Sequence, residues 1–387
     1  MVARMPRYPG TAQTVQGMEG SLFSKLAHRL ATMSGERYPL HVGDTWCEPA
    51  EGCRMQDLDV SDYPGMHRYA SPHGLPELLE RIVARAETTT GVPTDANNVL
   101  VAAGATGALG ATIGSTINPG EEVLILAPYW PLIAGVVQSF GGVPVAVPYI
   151  GAVEGADDVA PTLDAHLSER TAAIYVSTPN NPTGKIIPAD QLAAICSWAE
   201  AHGLWIIADE VYEDYVYAGE HQYTRPLSSS RTFSVHSFSK AYGMAGNRCG
   251  YVVGPHEVMQ ELRKVSTHTF YSTPTASQIA AARALDGRGA AWVETMKPAY
   301  FAAGTAAAER LGVEPPEGSQ FLWLDVAHLL DERGLVGFLE DCLDRGLLVA
   351  PGHSFGPYPT HIRVCFTCVA PDITARGIDV LAQMLER

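Results

Sequence analysis

At 387 residues, with 46% hydrophobic and 18% charged residues, the chain is long enough for two domains and carries no charge block of the kind that marks a disordered tail. A formal net charge of −16 argues against a nucleic-acid surface, because neutralising phosphates takes clustered Lys and Arg. No stretch reaches the roughly 18–20 consecutive apolar residues that span a bilayer, the first twenty residues lack the apolar centre of a signal peptide, and seven scattered cysteines fit the reduced thiols of a cytoplasmic protein.

Along the chain, short apolar or β-branched runs alternate with longer helical patterns. Strands are expected at 99–102, 123–126, 172–177, 205–209, 232–237 and 249–254. Between them lie helices such as the one that Pro188 opens and Gly203 closes after His202. Near-continuous apolar strands of this kind describe an α/β fold, a mostly parallel sheet sandwiched by helices. After Ser272 the pattern changes to a helical stretch ending near Leu311, a strand-like run at 320–325, a further helix and a strand around Arg363. These read as a smaller α+β domain. The expected division is a large domain at 46–285 and a small one built from 1–45 and 286–387. Cys365 and Cys368 have C-x-x-C spacing, but no second pair completes a zinc site and no helix start suits a redox motif. No metal is expected.

In open α/β sheets, ligands sit beyond the carboxyl ends of the strands. Polar clusters at 104–108, 180–184, 209–212 and 237–240 each follow an expected strand, so they should meet at one sheet edge. The last contains Lys240, one of five lysines, in Ser237-Phe-Ser-Lys-Ala-Tyr-Gly-Met-Ala-Gly-Asn-Arg248. Desolvation and a nearby Arg248 would lower its pKa and make it a nucleophile. A solvated surface lysine satisfies the same residues equally well.

Ser237-x-Ser239-Lys240, with Arg248 eight residues on, resembles the cofactor-lysine motif of the fold-type I pyridoxal-phosphate-dependent aminotransferases (class I/II, aspartate-aminotransferase-like). Ser177-Thr-Pro-Asn-Asn-Pro-Thr-Gly184 and Asp209-Glu-Val-Tyr212 are similar to two further motifs of that family, in the same order. The resemblance runs from about Gly43 to Arg363. It implies amino transfer between an amino acid and a 2-oxo acid through a Schiff base of pyridoxal 5′-phosphate on Lys240.

The resemblance also assigns roles. Asp209 would face the pyridine nitrogen, which must be protonated for the ring to act as an electron sink; taken alone, Asp209 reads as a helix N-cap. Asn181 and Tyr212 would bond the phenolic oxygen, although by themselves they read as a turn former and a half-buried aromatic. Gly104, Ala105 and Thr106 form a strand-to-helix turn whose N–H groups can cradle a phosphate, together with Ser237, Ser239 and Arg248. Trp130 would stack on the ring or simply fill core, or both. Arg363 would grip the substrate carboxylate in a bidentate pair, with the Gly43 backbone bordering the same place. Tyr69 matches a tyrosine lent across a homodimer to the neighbouring phosphate. His268 stands where aspartate-specific relatives carry an arginine that binds the distal carboxylate from the other subunit. Histidine is a poor substitute for a permanent cation, which points to neutral, aromatic or unusual substrates, and a hydrogen-bonded structural role for His268 is the alternative.

Other outcomes of the same cofactor chemistry, namely elimination, oxidation or ring formation, are not separated by these motifs. A non-catalytic pyridoxal-phosphate sensor is a further alternative. A Rossmann oxidoreductase would need Gly-x-Gly-x-x-Gly after an early strand, which is missing.

Overall fold

The computed structural model describes residues 10–16, 18 and 35–386, so much of the N-terminal segment expected in the small domain lies outside the described residues. In chain order the strands are β1 (Tyr38–Pro39), β2 (Val99–Ala102), β3 (Glu122–Ala127), β4 (Val143–Pro148), β5 (Thr171–Ser177) and β6 (Trp205–Asp209). They continue with β7 (Thr232–Ser237), β8 (Gly250–Val253), β9 (Phe321–Asp325), β10 (Leu347–Leu348), β11 (Ala350–Pro351) and β12 (His361–Cys365).

Seven strands form one sheet in the order β2-β8-β7-β6-β5-β3-β4. Their side chains alternate between two cores, as a sheet covered on both faces requires. Val123, Ile125, Ala173, Tyr175 and Ile207 enter one core with the helix Gly104–Thr116. Leu124, Leu126, Ile174, Val176 and Ile206 enter the other with the helix Ala189–Ala201. That helix begins after Pro188 and is followed by Gly203 at φ +71, as the residue pattern predicts.

Two features depart from a simple parallel reading. β8 runs antiparallel to both β2 and β7. A parallel neighbour needs a crossover, usually a helix, whereas the residues between β7 and β8 are folded into the short turns Phe238–Ala241 and Ala245–Asn247 and form no crossover helix. β4 was hidden at the sequence level because it is a half-exposed edge strand interrupted by Pro144 and ended by Pro148, and edges are where proline is tolerated.

The later region holds an antiparallel sheet β11-β12-β9 and the parallel pair β1-β10. The expected long helical stretch is present but interrupted: Thr275–Arg283 and Gly289–Leu311 flank a wide turn with Gly287 at φ +108. Leu324, Ile362 and Val364 point into a core with Tyr300, Phe338 and Leu381. Alternation along β12 therefore turns Cys365 to the opposite face, against Tyr212 and Phe321, and Arg363 with it. This brings the late strand to the edge of the seven-stranded sheet.

Strand register lines up the chemistry. Ser177 pairs with Asp209, Asp209 with Val235, and Ser237 with Gly250. Gly250 packs so closely that a Cβ there would lie 2.7 Å from Ala105 N and 2.8 Å from the His236 carbonyl oxygen. Both obstacles are backbone. Gly250→Ala should therefore destabilise the fold by roughly 1–3 kcal/mol, measured by urea unfolding; stability equal to the parent protein would contradict this packing.

Candidate active site

At the carboxyl edge of the sheet lies a cavity of about 380 Å³. Lys240 reaches it from the short turn Phe238–Ala241, which Ser237 caps by accepting the Ser239 N–H at 3.1 Å. The Lys240 ammonium donates to the Gly43 carbonyl. Burial lowers the lysine pKa, opposed by Asp44 and assisted by Arg363 and then Arg248. The expected direction is right, but Arg363 is a larger contributor than Arg248.

Asp209 closes β6 and is buried in the cavity floor. Its Oδ2 accepts the Tyr175 hydroxyl at 2.5 Å, and its Oδ1 has only a 3.4 Å contact from the Val211 N–H. Burial pushes its pKa up to about 6, with the Tyr175 bond opposing. Three residues on, Tyr212 is buried edge-on to Phe321 with centroids 5.6 Å apart, and burial raises its phenol so that it stays neutral.

Arg363 is the buried cation of the site. Its Nη1 donates to Asn181 Oδ1 at 2.8 Å and its Nη2 to the His41 carbonyl at 2.6 Å. The guanidinium lies between Phe321 and Phe355, 4.2 and 4.8 Å from their ring centroids. Among the described residues no carboxylate pairs with it. Asn181 is placed by its neighbour: Asn180 Oδ1 accepts the N–H and hydroxyl of Thr183, while Asn180 Nδ2 donates to the Pro128 carbonyl at 3.1 Å. That last bond also ties down the segment carrying Trp130, which forms a wall of the cavity.

The anion end is built from backbone. Gly104, at φ +71, starts a 13-residue helix whose Ala105 and Thr106 border the cavity. Arg248 adopts φ +52 and leans over this turn, where a Cβ on Gly104 would lie 2.6 Å from its Nη2. A left-handed φ and close approach both call for glycine. Ser237 and Ser239 line the same end. Helix N–H groups, two hydroxyls and a guanidinium suit a phosphate. The buried carboxylate suits a protonated ring nitrogen, so the residues present fit pyridoxal phosphate.

Three predicted residues do not line this cavity within the chain: Gly104, which lies beside it at the start of the helix, and Tyr69 and His268, which lie elsewhere. Tyr69 is 89% exposed and packs edge-on against Tyr271. His268 is exposed on the helix His256–Thr269, its Nδ1 bonded to the Lys264 carbonyl at 2.7 Å. Conversely, His41, Val42, Leu109, Pro131, Leu132, Val211 and Ala245 line the cavity without having been singled out. Leu109 lies four residues beyond Ala105, so helical spacing could have found it. Loop residues 41 and 42 offered no such signal.

A stability experiment tests the Asp209 environment. A carboxyl with a folded pKa near 6, above its ordinary 3.8, burdens the ligand-free fold above pH 6 and ceases to do so below about pH 4. Asp209→Asn lacks that burden. Ligand-free Asp209→Asn should therefore gain on the order of 2 kcal/mol over the parent at pH 7.5 and lose the advantage toward pH 4, by urea unfolding. A pH-independent difference would count against a buried anion here.

The profile described as "Aminotransferase class I and II" matches residues 47–381. A probable aspartate/prephenate aminotransferase of Thermus aquaticus is 32% identical over 330 residues, 84% of this chain and 83% of the relative. An arginine–pyruvate transaminase of Pseudomonas aeruginosa is 33% identical over 312 residues, 78% of each chain. The structure of the aspartate aminotransferase from Thermus thermophilus with maleate superposes with a TM-score of 0.88 at 27% identity, over 97% of this chain and 100% of that one. The chain thus belongs to the class I and II aminotransferases, α/β enzymes of fold type I that use pyridoxal phosphate to transfer an amino group.

Proposed function

We propose that Lys240 is the amine that bonds the cofactor and later carries the substrate's α-proton, and that the substrates are amino acids and 2-oxo acids with neutral side chains. Pyridoxal phosphate, when bound, supplies an aldehyde that links to amines and a protonated ring that withdraws electrons from the neighbouring carbon. Ser237, Ser239, Arg248 and the helix turn at Gly104, Ala105 and Thr106 would hold its phosphate, and Asp209 its ring nitrogen. Asn181 and Tyr212 would meet the phenolic oxygen, with Trp130 against the ring face.

One observation carries this reading: Arg363, a buried guanidinium without a carboxylate partner among the described residues, opens into the same cavity as Lys240. It can hold an α-carboxylate with its two Nη groups while the backbone of Gly43 borders the site. A substrate so anchored has its α-carbon near Lys240, and that proximity makes proton transfer effectively unimolecular. Burial keeps a share of Lys240 neutral, as a base requires.

The side-chain preference follows from the rest of the lining. The cations bordering the cavity are Lys240, Arg248 and Arg363, each already given a task. His41 is held neutral by burial and then by Arg363. Val42, Leu109, Trp130, Pro131 and Leu132 complete an apolar wall. His268 is directed elsewhere within the chain. A distal carboxylate finds no cation among these described residues.

On this reading the protein is a cytoplasmic homodimer that lends the exposed Tyr69 to its partner's phosphate. Residues 46–285 form the cofactor-binding domain, and 1–45 with 286–387 the smaller one. Seven free cysteines and the outward-facing Tyr69 support it.

Lys240→Ala should lower turnover by roughly 10³-fold or more, and borohydride reduction of the yellow protein should place the label on Lys240; a label on another lysine would sink the assignment. In a donor screen, phenylalanine or alanine should exceed aspartate in kcat/KM, and a strong aspartate preference would refute the proposed side-chain class.

A further inference from the structure

Tyr175 lies in the middle of β5 and is fully buried. Ser177, two residues further on the same face, pairs with Asp209 on the neighbouring strand. The phenol therefore lies one side-chain step below the carboxylate and reaches diagonally up the sheet to Asp209 Oδ2 at 2.5 Å. Such diagonal neighbours are within reach of an aromatic side chain. The hydroxyl thus donates to the carboxylate that faces the cavity.

We propose that Tyr175 is a positioning residue for the amino-transfer site: its hydroxyl fixes the Asp209 carboxylate in one orientation, keeps it anionic, and leaves Oδ1 available for the ring nitrogen of the cofactor. The proposal rests on the reading of Asp209 as the partner of that nitrogen. Its physical content is a division of labour between the two oxygens. Oδ2 is engaged from below by a charge-assisted bond, whereas Oδ1 carries, among the described residues, only the long Val211 contact. A buried carboxylate lacking such a donor pays its desolvation uncompensated and tends to take up a proton. A protonated Asp209 would no longer stabilise a protonated ring.

Other ionisable groups surround Asp209: Glu210 beside it, His236 on β7 and Tyr212 in the following turn, with Lys240, Arg248 and Arg363 around the cavity. None of them donates a hydrogen bond to the Asp209 carboxylate. The Tyr175 hydroxyl is the side-chain donor described on it. His236, on the neighbouring strand β7, is instead bonded to Glu213 through Nδ1 at 2.9 Å.

The test uses Tyr175→Phe, which removes one oxygen and keeps the ring. Two quantities are read against pH: the ionisation of Asp209 in the cofactor-stripped protein, from the infrared carboxyl band missing in Asp209→Asn, and the affinity of each protein for pyridoxal 5′-phosphate. In Tyr175→Phe the band should titrate roughly one pH unit higher, and the pH below which the cofactor is lost should move the same way. Incorporating 3-fluorotyrosine at 175, a more acidic phenol of nearly the same size, should shift both downward and serves if the phenylalanine protein does not fold. An unmoved carboxyl titration overturns the proposal. If the cofactor affinity of Tyr175→Phe matches the parent's while Asp209→Asn binds poorly, Tyr175 has no positioning role and the Asp209 assignment survives. If Asp209→Asn also binds normally, the assignment of Asp209 itself fails.

Discussion

A buried guanidinium with no carboxylate paired to it among the described residues is the interaction around which the cavity is arranged. Isolating a cation from water is costly unless something compensates, and the fold shows that it can pair buried charges when pairing is the aim. Arg85, behind the sheet edge, meets Glu213 at 3.2 Å and Asp214 at 3.0 Å. Arg363 gets a different environment: an amide oxygen, a backbone carbonyl and two aromatic faces. These orient the two Nη groups without neutralising the guanidinium, while its Nε has no hydrogen-bond partner among the described residues. On the proposed reading, the charge is kept for a substrate carboxylate.

The same separation of charges governs the rest of the cavity. Asp209 is an anion on the floor, Lys240 an amine at the wall and Arg248 a cation at the mouth. Among the described residues none of these is paired with another. Had Lys240 met Asp209 directly, both would have been locked in their charged forms and neither would serve chemistry. The Gly43 carbonyl holds the lysine in place instead, and Tyr175 holds the aspartate. The carbonyl fixes the lysine while leaving its protonation adjustable, whereas the phenol orients the aspartate and favours its anionic form.

Much of this layout was legible from residues alone, for a definable reason. Buried parallel strands announce themselves as apolar runs, and the polar clusters that end them at 104–108, 180–184, 209–212 and 237–240 mark the sheet edge. The roles of Lys240, Asp209, Asn181 and Tyr212, by contrast, came from the family resemblance, since each alone also has an ordinary structural reading. What stayed hidden depended on partners distant in sequence. Tyr175 sits inside an apolar strand and reads as core; only the register of β5 against β6 shows that its hydroxyl reaches Asp209. The Phe321 and Phe355 faces around Arg363 need the late sheet folded against the cavity before they mean anything. The direction of β8 turned on a connection folded into turns instead of a crossover helix, which composition does not announce. Tyr69 and His268 carry their expected roles only through a resemblance, and within one chain both point away from the cavity.

Preorganisation explains where the backbone departs from ordinary geometry. Arg248 is held in the left-handed region at φ +52, a conformation that costs a non-glycine residue about 1–2 kcal/mol. The fold accepts this because it directs the guanidinium across Gly104, whose missing side chain lets the two segments touch. Gly250 closes the arrangement from below, against the Gly104–Ala105 peptide. Three local choices that look unfavourable one at a time thus form a single rigid turn. Ala105, Thr106, Ser237, Ser239 and Arg248 border one cavity in the ligand-free fold, so on the proposed reading little ordering would remain to be done when a phosphate binds.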